Sequence, residues 1–330
     1  AIMRIASGLC VAGCYTVIES WLQAKVTNET RGRAMGTYRF VDTFASLIAQ
    51  LLIGILEPAQ YVSYNLLALV CCATLLPITL TTIKQPETPV APRLRPKLAI
   101  HRSPLAVAGV LVAAISGAAF RMVGPIFGAQ VGLQVEQIAY FLSAFVFGGA
   151  LAQYPVGWLA DKYDRRWVLI WLSVAAIFSS ISSISISSDG SLSIFILAFG
   201  FGFTTFPIYS VAESRGLGDV YKRQIYSVAA AHAHDFANSD ERVELSASLL
   251  FFYALGAIAA PLFASSLIGF FGPNAMFIMI ACAHLILVIF GVTRMRARPT
   301  LTEKTPYIYA PRTSFLIGRL LKRLRDQEKK

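Results

Sequence analysis

Gly157-Trp158-Leu159-Ala160-Asp161-Lys162-Tyr163-Asp164-Arg165-Arg166 is a short, strongly charged stretch between two long apolar runs, at roughly residues 136–160 and 167–187. Each run is long enough to cross a bilayer as a helix, which takes about 20 residues at about 1.5 Å per residue. A connection this short joins antiparallel neighbours, and its Lys and Arg side chains favour the cytoplasmic side. The stretch therefore predicts two adjacent membrane helices, and its simplest role is that of a positively charged anchor.

The composition of the chain extends this prediction to its whole length. Of the 330 residues, 56% are hydrophobic and 14% are charged, and the mean hydropathy is +0.61. These values are typical of a membrane protein with several spans. A net charge of +11 could suggest nucleic acid as a partner. Its basic residues are instead scattered through short connections and a tail, which favours membrane orientation and predicts no nucleic-acid partner.

The apolar runs predict nine spans, and the basic residues predict their orientation. All but two of the 29 Lys and Arg residues fall in connections on one side, while Arg4 and Arg121 lie within spans. This alternation places the C-terminus in the cytoplasm. The predicted spans are at approximately 2–23, 34–55, 61–83, 104–129, 136–160, 167–187, 191–212, 243–268 and 273–294.

The segment 84–103 separates three predicted spans from six. It contains Pro86, Pro89, Pro92 and Pro96, and this proline spacing predicts a semi-rigid, extended cytoplasmic tether rather than a helix.

The charged stretch resembles the loop signature Gly-x-Leu-Ala-Asp-Arg-x-Gly-Arg-Lys of the major facilitator superfamily of transporters. In this sequence Lys162, Asp164 and Arg166 replace the Arg, Gly and Lys of the signature. The matching residues are Gly157, Leu159, Ala160, Asp161 and Arg165. Arg4, Gly8 and Gly13, the segment 31–36 and the segment 153–157 further resemble the YcaD-like branch of this superfamily.

The resemblance implies an all-α membrane protein with the major facilitator fold, in which two six-helix bundles are joined by a cytoplasmic linker. On this basis residues 1–83 correspond to a remnant of the N-terminal bundle, 84–103 to the linker, 104–295 to the C-terminal bundle and 296–330 to a basic cytoplasmic tail. The nine spans correspond to spans four to twelve of an expected twelve. We therefore expect that the sequence is a fragment and that the fragment by itself is inactive.

One segment interrupts this pattern. Ile208-Tyr209-Ser210-Val211-Ala212 recurs at 225–229, with polar sequence between the copies. A direct repeat around unrelated sequence is what an insertion leaves behind, so we interpret the segment near 208–229 as an artefactual insertion. The alternative is a regulatory cytoplasmic loop.

The resemblance implies a secondary active transporter in a bacterial inner membrane. It would move a small molecule by rocker-switch alternating access, driven by an ion gradient, with a proton as the co-transported ion. The chain has no Gly-rich phosphate loop and no catalytic constellation, so it predicts neither an enzyme nor a cofactor. His232, His234 and Asp235 lack a fourth ligand, so no metal is predicted. The alternative is a non-transporting membrane sensor or scaffold on the same fold.

Two groups of residues are candidates for function. The first is a gate, in which Asp161 meets Arg33 at the cytoplasmic ends of two spans, with Gly157, Arg165 and Arg166 around it. The second lines a cavity for substrate recognition or proton coupling: Arg4, Arg121, Gln50, Gln153 and His284. Arg121 precedes Gly124 and Pro125, which predict a break in the helix. The alternatives are snorkelling for Arg121, interhelical hydrogen bonds for the two glutamines and a satisfied polar contact for His284.

The tail carries apolar residues on one side of a predicted helix at 313–325 and basic residues on the other. This pattern is typical of an interfacial helix that rests on anionic lipid headgroups. A solvated tail is the alternative.

Overall fold

A computed structural model describes residues 31–52, 55, 56, 60–80, 94–184, 192–209 and 242–297, with a few helical positions before residue 20. These residues form helices and no strand. The helices are α1 (Arg31–Leu52), α2 (Tyr61–Thr79), α3 (Pro96–Arg102), α4 (Pro104–Gln130), α5 (Val135–Lys162), α6 (Arg165–Ile184), α7 (Leu192–Tyr209), α8 (Arg242–Phe271) and α9 (Ala275–Ala297).

The observed helices confirm the all-α prediction, and each predicted span from the second onward contains one of them. Within the described residues, five helices are long and apolar enough to cross a membrane, namely α4, α5, α6, α8 and α9. Shorter apolar segments lie in α1, α2 and α7. The predicted first span, the repeat region after residue 209 and the tail from residue 298 lie outside the described residues.

Short turns join α4 to α5, α5 to α6 and α8 to α9 and make each pair antiparallel neighbours. Gly132, between α4 and α5, has a φ of +86°, and Gly272, between α8 and α9, has a φ of +84°. Glycine adopts this left-handed conformation without the steric penalty of a Cβ atom. At the first turn, the amide of Leu133 donates to the carbonyl of Gly128 at 2.9 Å and closes the end of α4.

The predicted extended tether is wrong in its last part, because Pro96–Arg102 forms the helix α3. Pro96 stands in the first turn, where the backbone N–H that proline lacks would have no partner within the helix. Arg95 fixes this segment to α8: its Nη1 lies 3.1 Å from Oε2 of Glu244, and its amide donates to Oγ of Ser248 at 3.2 Å. The earlier linker residues, 84–93, lie outside the described residues.

The six helices α4–α9 consist of two triplets related by an internal two-fold symmetry. The contact of α5 with α7 corresponds to that of α8 with α4, and the contact of α6 with α7 corresponds to that of α9 with α4. The contact between α6 and α9 is its own counterpart. With three helices in each triplet, alternate crossing of the membrane would start α4 and α7 on opposite faces, which is the arrangement of inverted repeats.

An aromatic cluster fills the core between these triplets. The ring of Phe120 stacks on Phe141, Phe145 and Phe201, with centroids 4.8, 4.3 and 5.1 Å away. Leu47 of α1 packs against the same core. By contrast, α2 exposes every described side chain except Ser63.

Glycines allow the paired helices to approach backbone to backbone. A Cβ atom on Gly148 of α5 would fall on the carbonyl oxygen of Phe199, and one on Gly202 of α7 would fall on that of Phe145. In the symmetry-related pair, a Cβ atom on Gly256 of α8 would lie 2.9 Å from Cβ of Ala114. Small residues at such crossings are the means by which membrane helices pack without a hydrophobic driving force.

Gly148→Ala should lower the thermal unfolding midpoint in detergent, because the added methyl meets backbone that cannot move aside as a side chain would. Overpacking of this kind costs about 1–3 kcal/mol. Gly269→Ala is the matched control, since nothing lies within 4 Å of a Cβ atom there. Equal midpoints for the two variants would contradict the close crossing.

Candidate functional site

The corner between α5 and α6 is tighter than the sequence predicts. Gly157 and Asp161 belong to α5, and Arg165 and Arg166 begin α6, so that only Tyr163 and Asp164 lie between the helices. Tyr163 is the residue that ends α5, with its amide donating to the carbonyl of Leu159 at 2.8 Å. The charged stretch is therefore two helix ends and a two-residue turn.

Asp164 explains why the turn remains tight without the glycine of the family signature. Its Oδ1 accepts from the amide of Arg166 at 3.0 Å, and its carbonyl accepts from the amide of Trp167 at 2.9 Å. Asp164 is thus the N-cap of α6, a position where aspartate is strongly preferred. Its negative charge also lies at the positive end of the helix dipole.

The same carboxylate holds Arg166. The guanidinium donates from Nε to Oδ1 at 3.3 Å and from Nη2 to Oδ2 at 3.2 Å, and the residue is only 7% exposed. A guanidinium bound by two oxygens in this way is fixed in direction as well as in charge. Arg166, predicted as part of the gate, therefore serves first to hold the turn.

Aromatic side chains surround the corner and indicate where it lies in the membrane. Trp158, Tyr163, Trp167 and Trp171 are each between 42% and 53% exposed. The Nζ of Lys162 lies 4.9 Å from the ring centroid of Trp158 and 5.6 Å from that of Tyr163. Tryptophan and tyrosine concentrate at the boundary between lipid and water, so this end of α5 lies at an interface.

The predicted partners at the gate, Asp161 and Arg33, stand on helices that do touch. Helix α1 contacts α5, and Leu47 of α1 packs against the core that contains Phe145 and Val146. The side chains of Asp161 and Arg33 lie outside the described residues, as does Arg4.

Arg121 lies on α4 with its guanidinium over the ring of Phe206, at 5.1 Å from the ring centroid. It is exposed, and the salt bridges found among the described residues involve other arginines. The helix does not break at Gly124 and Pro125 as predicted, since α4 continues to Gln130. Proline removes one N–H without unwinding the helix, so the carbonyl of Arg121 loses the donor it would have four residues later.

The two glutamines differ in their surroundings. Oε1 of Gln50, near the end of α1, is buried and has no hydrogen-bond donor in the described part of the chain. Gln153 is half-buried in α5. A buried carbonyl oxygen without a donor costs about 1–3 kcal/mol, so Gln50 is the better candidate for a polar ligand.

His284 is fully buried, and its Nε2 lies 2.9 Å from Oγ of Ser116. The Ser116 hydroxyl donates to the carbonyl of Val112 at 2.9 Å, which leaves its oxygen to accept from the histidine. Nε2 therefore carries the proton, and Nδ1 has no partner among the described residues. The hydrogen bond between His284 and Ser116 therefore joins α9 to α4, which pack against each other.

Sequence reasoning did not find three of these residues. Their roles depend on contacts with residues that are distant in the chain. Phe206 contacts Arg121, 85 residues away, and Ser116 contacts His284, 168 residues away. Glu244 pairs with Arg95, about 150 residues away. Their spacing along the chain carries no signal of these contacts. Single polar residues in apolar runs, such as Ser116, were the one available indication.

Paired helix triplets, short turns and a charged corner with exposed Trp and Tyr side chains are features of a multi-pass helical membrane protein. A family model described as Major Facilitator Superfamily matches residues 1–220. The chain therefore belongs to the major facilitator superfamily, whose members are secondary transporters of small molecules rather than enzymes.

Similar proteins come from enteric bacteria and bear the name MFS-type transporter YcaD. The chain is 25% identical over 288 residues to the one from Escherichia fergusonii, which covers 87% of this chain and 70% of the relative. It is 26% identical over 290 residues to one from Escherichia coli and over 295 residues to one from Salmonella heidelberg, with the same coverage. These relatives agree with the branch that the sequence resembles.

Asp164→Ala should destabilise the protein by about 1–3 kcal/mol, because it removes the N-cap and the two hydrogen bonds that the buried Arg166 guanidinium donates to Asp164. Asp164→Asn keeps one capping oxygen and should fall between Asp164→Ala and the unmodified protein. The measurement is the thermal unfolding midpoint in detergent. Glu136→Gln, a charge loss at the opposite end of α5, is the control, and a midpoint for Asp164→Ala equal to that control would refute the role of the cap.

Proposed function

We propose that the protein is a secondary active transporter that moves a small molecule across a bacterial inner membrane by rocker-switch alternating access, coupled to an ion gradient. The observation that carries this proposal is the packing of α1 against α5, across the boundary predicted between two bundles. A helix pair at such a boundary can separate at one end while it remains closed at the other.

The charged corner supports a gate at one end of this pair. Arg33 stands two residues into α1 and Asp161 one residue before the end of α5. With α2, α4 and α5 as alternating spans, both would belong to the same face of the membrane. We propose that their side chains form a latch that keeps this face closed. The positive N-terminus of α1 would favour the Asp161 carboxylate further.

Transport itself is tested in proteoliposomes under an imposed proton gradient, with this chain and with the chain joined to the three N-terminal spans expected from the family. A panel of carboxylates, amides and amines is added outside, and the contents are measured by mass spectrometry. We expect at least one solute to accumulate above its external concentration with the extended protein and none with the 330-residue chain alone, and a protonophore to abolish this accumulation. An extended protein that accumulates no solute, but binds a cytoplasmic protein through residues 296–330, would instead be a sensor or scaffold.

The latch is tested by thiol labelling. In a background without the native cysteines, Thr37→Cys places a reporter on the first turns of α1, and a membrane-impermeant maleimide measures its accessibility in inverted vesicles. Asp161→Asn should raise the labelling rate several-fold, because it weakens the closed state. Glu136→Gln, at the other end of α5, should leave the rate unchanged. Equal rates with and without Asp161→Asn would exclude the latch.

A further inference from the structure

Arg121 is a cation in an apolar span that no described acidic residue neutralises. The ion pairs among the described residues join Arg95 to Glu244 and Arg166 to Asp164. Counting 17 residues from Pro104, Arg121 lies about 26 Å along α4, well inside the length of a membrane-crossing helix. A charge at such a depth is costly and is usually balanced by a polar partner, and none of the described acidic residues supplies one.

Phe206 holds the guanidinium in place. The ring centroid lies 5.1 Å from Cζ of Arg121, and the ring packs edge-to-face on Phe145 with centroids 6.0 Å apart. A Cβ atom on Gly149 would lie 2.5 Å from Cγ of Phe206, so the absence of a side chain there provides the space for the ring. The ring thus forms a platform that is itself fixed by α5.

This contact leaves the hydrogen-bonding groups of Arg121 available. A cation–π contact involves the positive charge of the guanidinium and none of its N–H hydrogen-bond donors. Arginine has five N–H donors in a planar fork that matches a carboxylate. None of them donates to another described residue, and the residue is exposed.

The described charges favour a ligand with a single negative charge. In the described spans, most of the other Lys and Arg residues stand near helix ends, at 31, 33, 162, 165, 166, 242, 294 and 296, and Arg39 lies eight residues into α1. A single cation at this depth of the span balances one anionic group. A dianion would retain an uncompensated charge in a medium of low dielectric. A monoanion therefore fits better than a phosphate monoester.

The ring of Phe206 gives the surroundings of Arg121 an apolar side. It lies against the guanidinium and packs on Phe145. This ring favours a ligand whose charged group is attached to an apolar body.

We propose that Arg121 binds the anionic group of the transported solute, and that this solute is an amphipathic monocarboxylate. The carboxylate accepts two hydrogen bonds from the guanidinium, while the apolar body packs against Phe206. This inference rests on the proposed transport function. The phosphodiester of a phospholipid is a second monoanion with the same chemistry, and the experiment below separates the two sources.

Binding is measured by titration calorimetry on the full chain in a neutral maltoside detergent. Octanoate and benzoate are compared with octanamide and benzamide, which have the same shape without the charge, and with a short-chain phosphatidylglycerol. At least one carboxylate should bind roughly tenfold to hundredfold more tightly than its amide, as expected for hydrogen bonds to a charged group.

Arg121→Gln should reduce this ratio to about one, and Arg121→Lys should retain part of it, because an ammonium keeps the charge without the fork. Phe206→Leu should weaken carboxylate binding while the thermal midpoint shows that the protein remains folded. Arg296→Gln, the same chemical change at the cytoplasmic end of α9, should leave the ratio intact.

Two outcomes overturn the inference. If neither carboxylate binds more tightly than its amide, Arg121 is not a carboxylate site. If the phosphatidylglycerol binds in an Arg121-dependent manner and the carboxylates do not, the partner is a lipid headgroup. Carboxylate binding without uptake into proteoliposomes would support the anion site and contradict the transport proposal. Uptake of the amides at equal rates in the unmodified protein and Arg121→Gln would support transport and contradict the anion site.

Discussion

The close approach of α5 and α7 at Gly148 and Gly202 is the contact on which the rest of the six-helix unit depends. Moving an apolar helix surface from lipid to a helix interface gains little free energy, because lipid tails are equally apolar. Association therefore relies on close packing of the helix backbones. The reciprocal positions of the two glycines against Phe199 and Phe145 bring the helices close enough for this packing. The phenylalanine cluster around Phe120 then fills the space between the triplets, and the symmetric pair α4 and α8 repeats the solution at Gly256.

Helix existence and order could be predicted from the sequence, because apolar length and the distribution of basic residues are local properties. The boundaries of α4, α5 and α9 agree with the predicted spans within a few residues. The linker shows the limit of such reasoning. Proline spacing indicated an extended tether, yet one proline at a helix start is compatible with α3, and the contact of Arg95 with Glu244 is a tertiary one that no local pattern contains.

The candidate site was predictable in part, for the same reason. The sequence identified Arg121, His284 and Gln50 as polar residues at membrane depth, but their partners depend on which helix faces which. Ser116 forms a hydrogen bond with Nε2 of His284, and Nδ1 has no partner among the described residues. Phe206 positions Arg121 but does not neutralise its charge. Asp164 stands where the family signature has glycine. Its side chain stabilises the turn by capping α6 and by forming an ion pair with Arg166.

The attachment of α3 to α8 has a mechanical consequence for any linker that enters from residues 84–93. A force carried along the chain reaches Arg95 before it reaches α4, and the ion pair with Glu244 and the hydrogen bond to Ser248 pass part of it to the first turns of α8. Since α8 belongs to the triplet α7–α9, tension from the preceding residues would reach this triplet as well as α4–α6, the triplet that contains the charged corner. The six-helix unit is thus coupled to the preceding chain at both triplets and not only through the direct connection to α4.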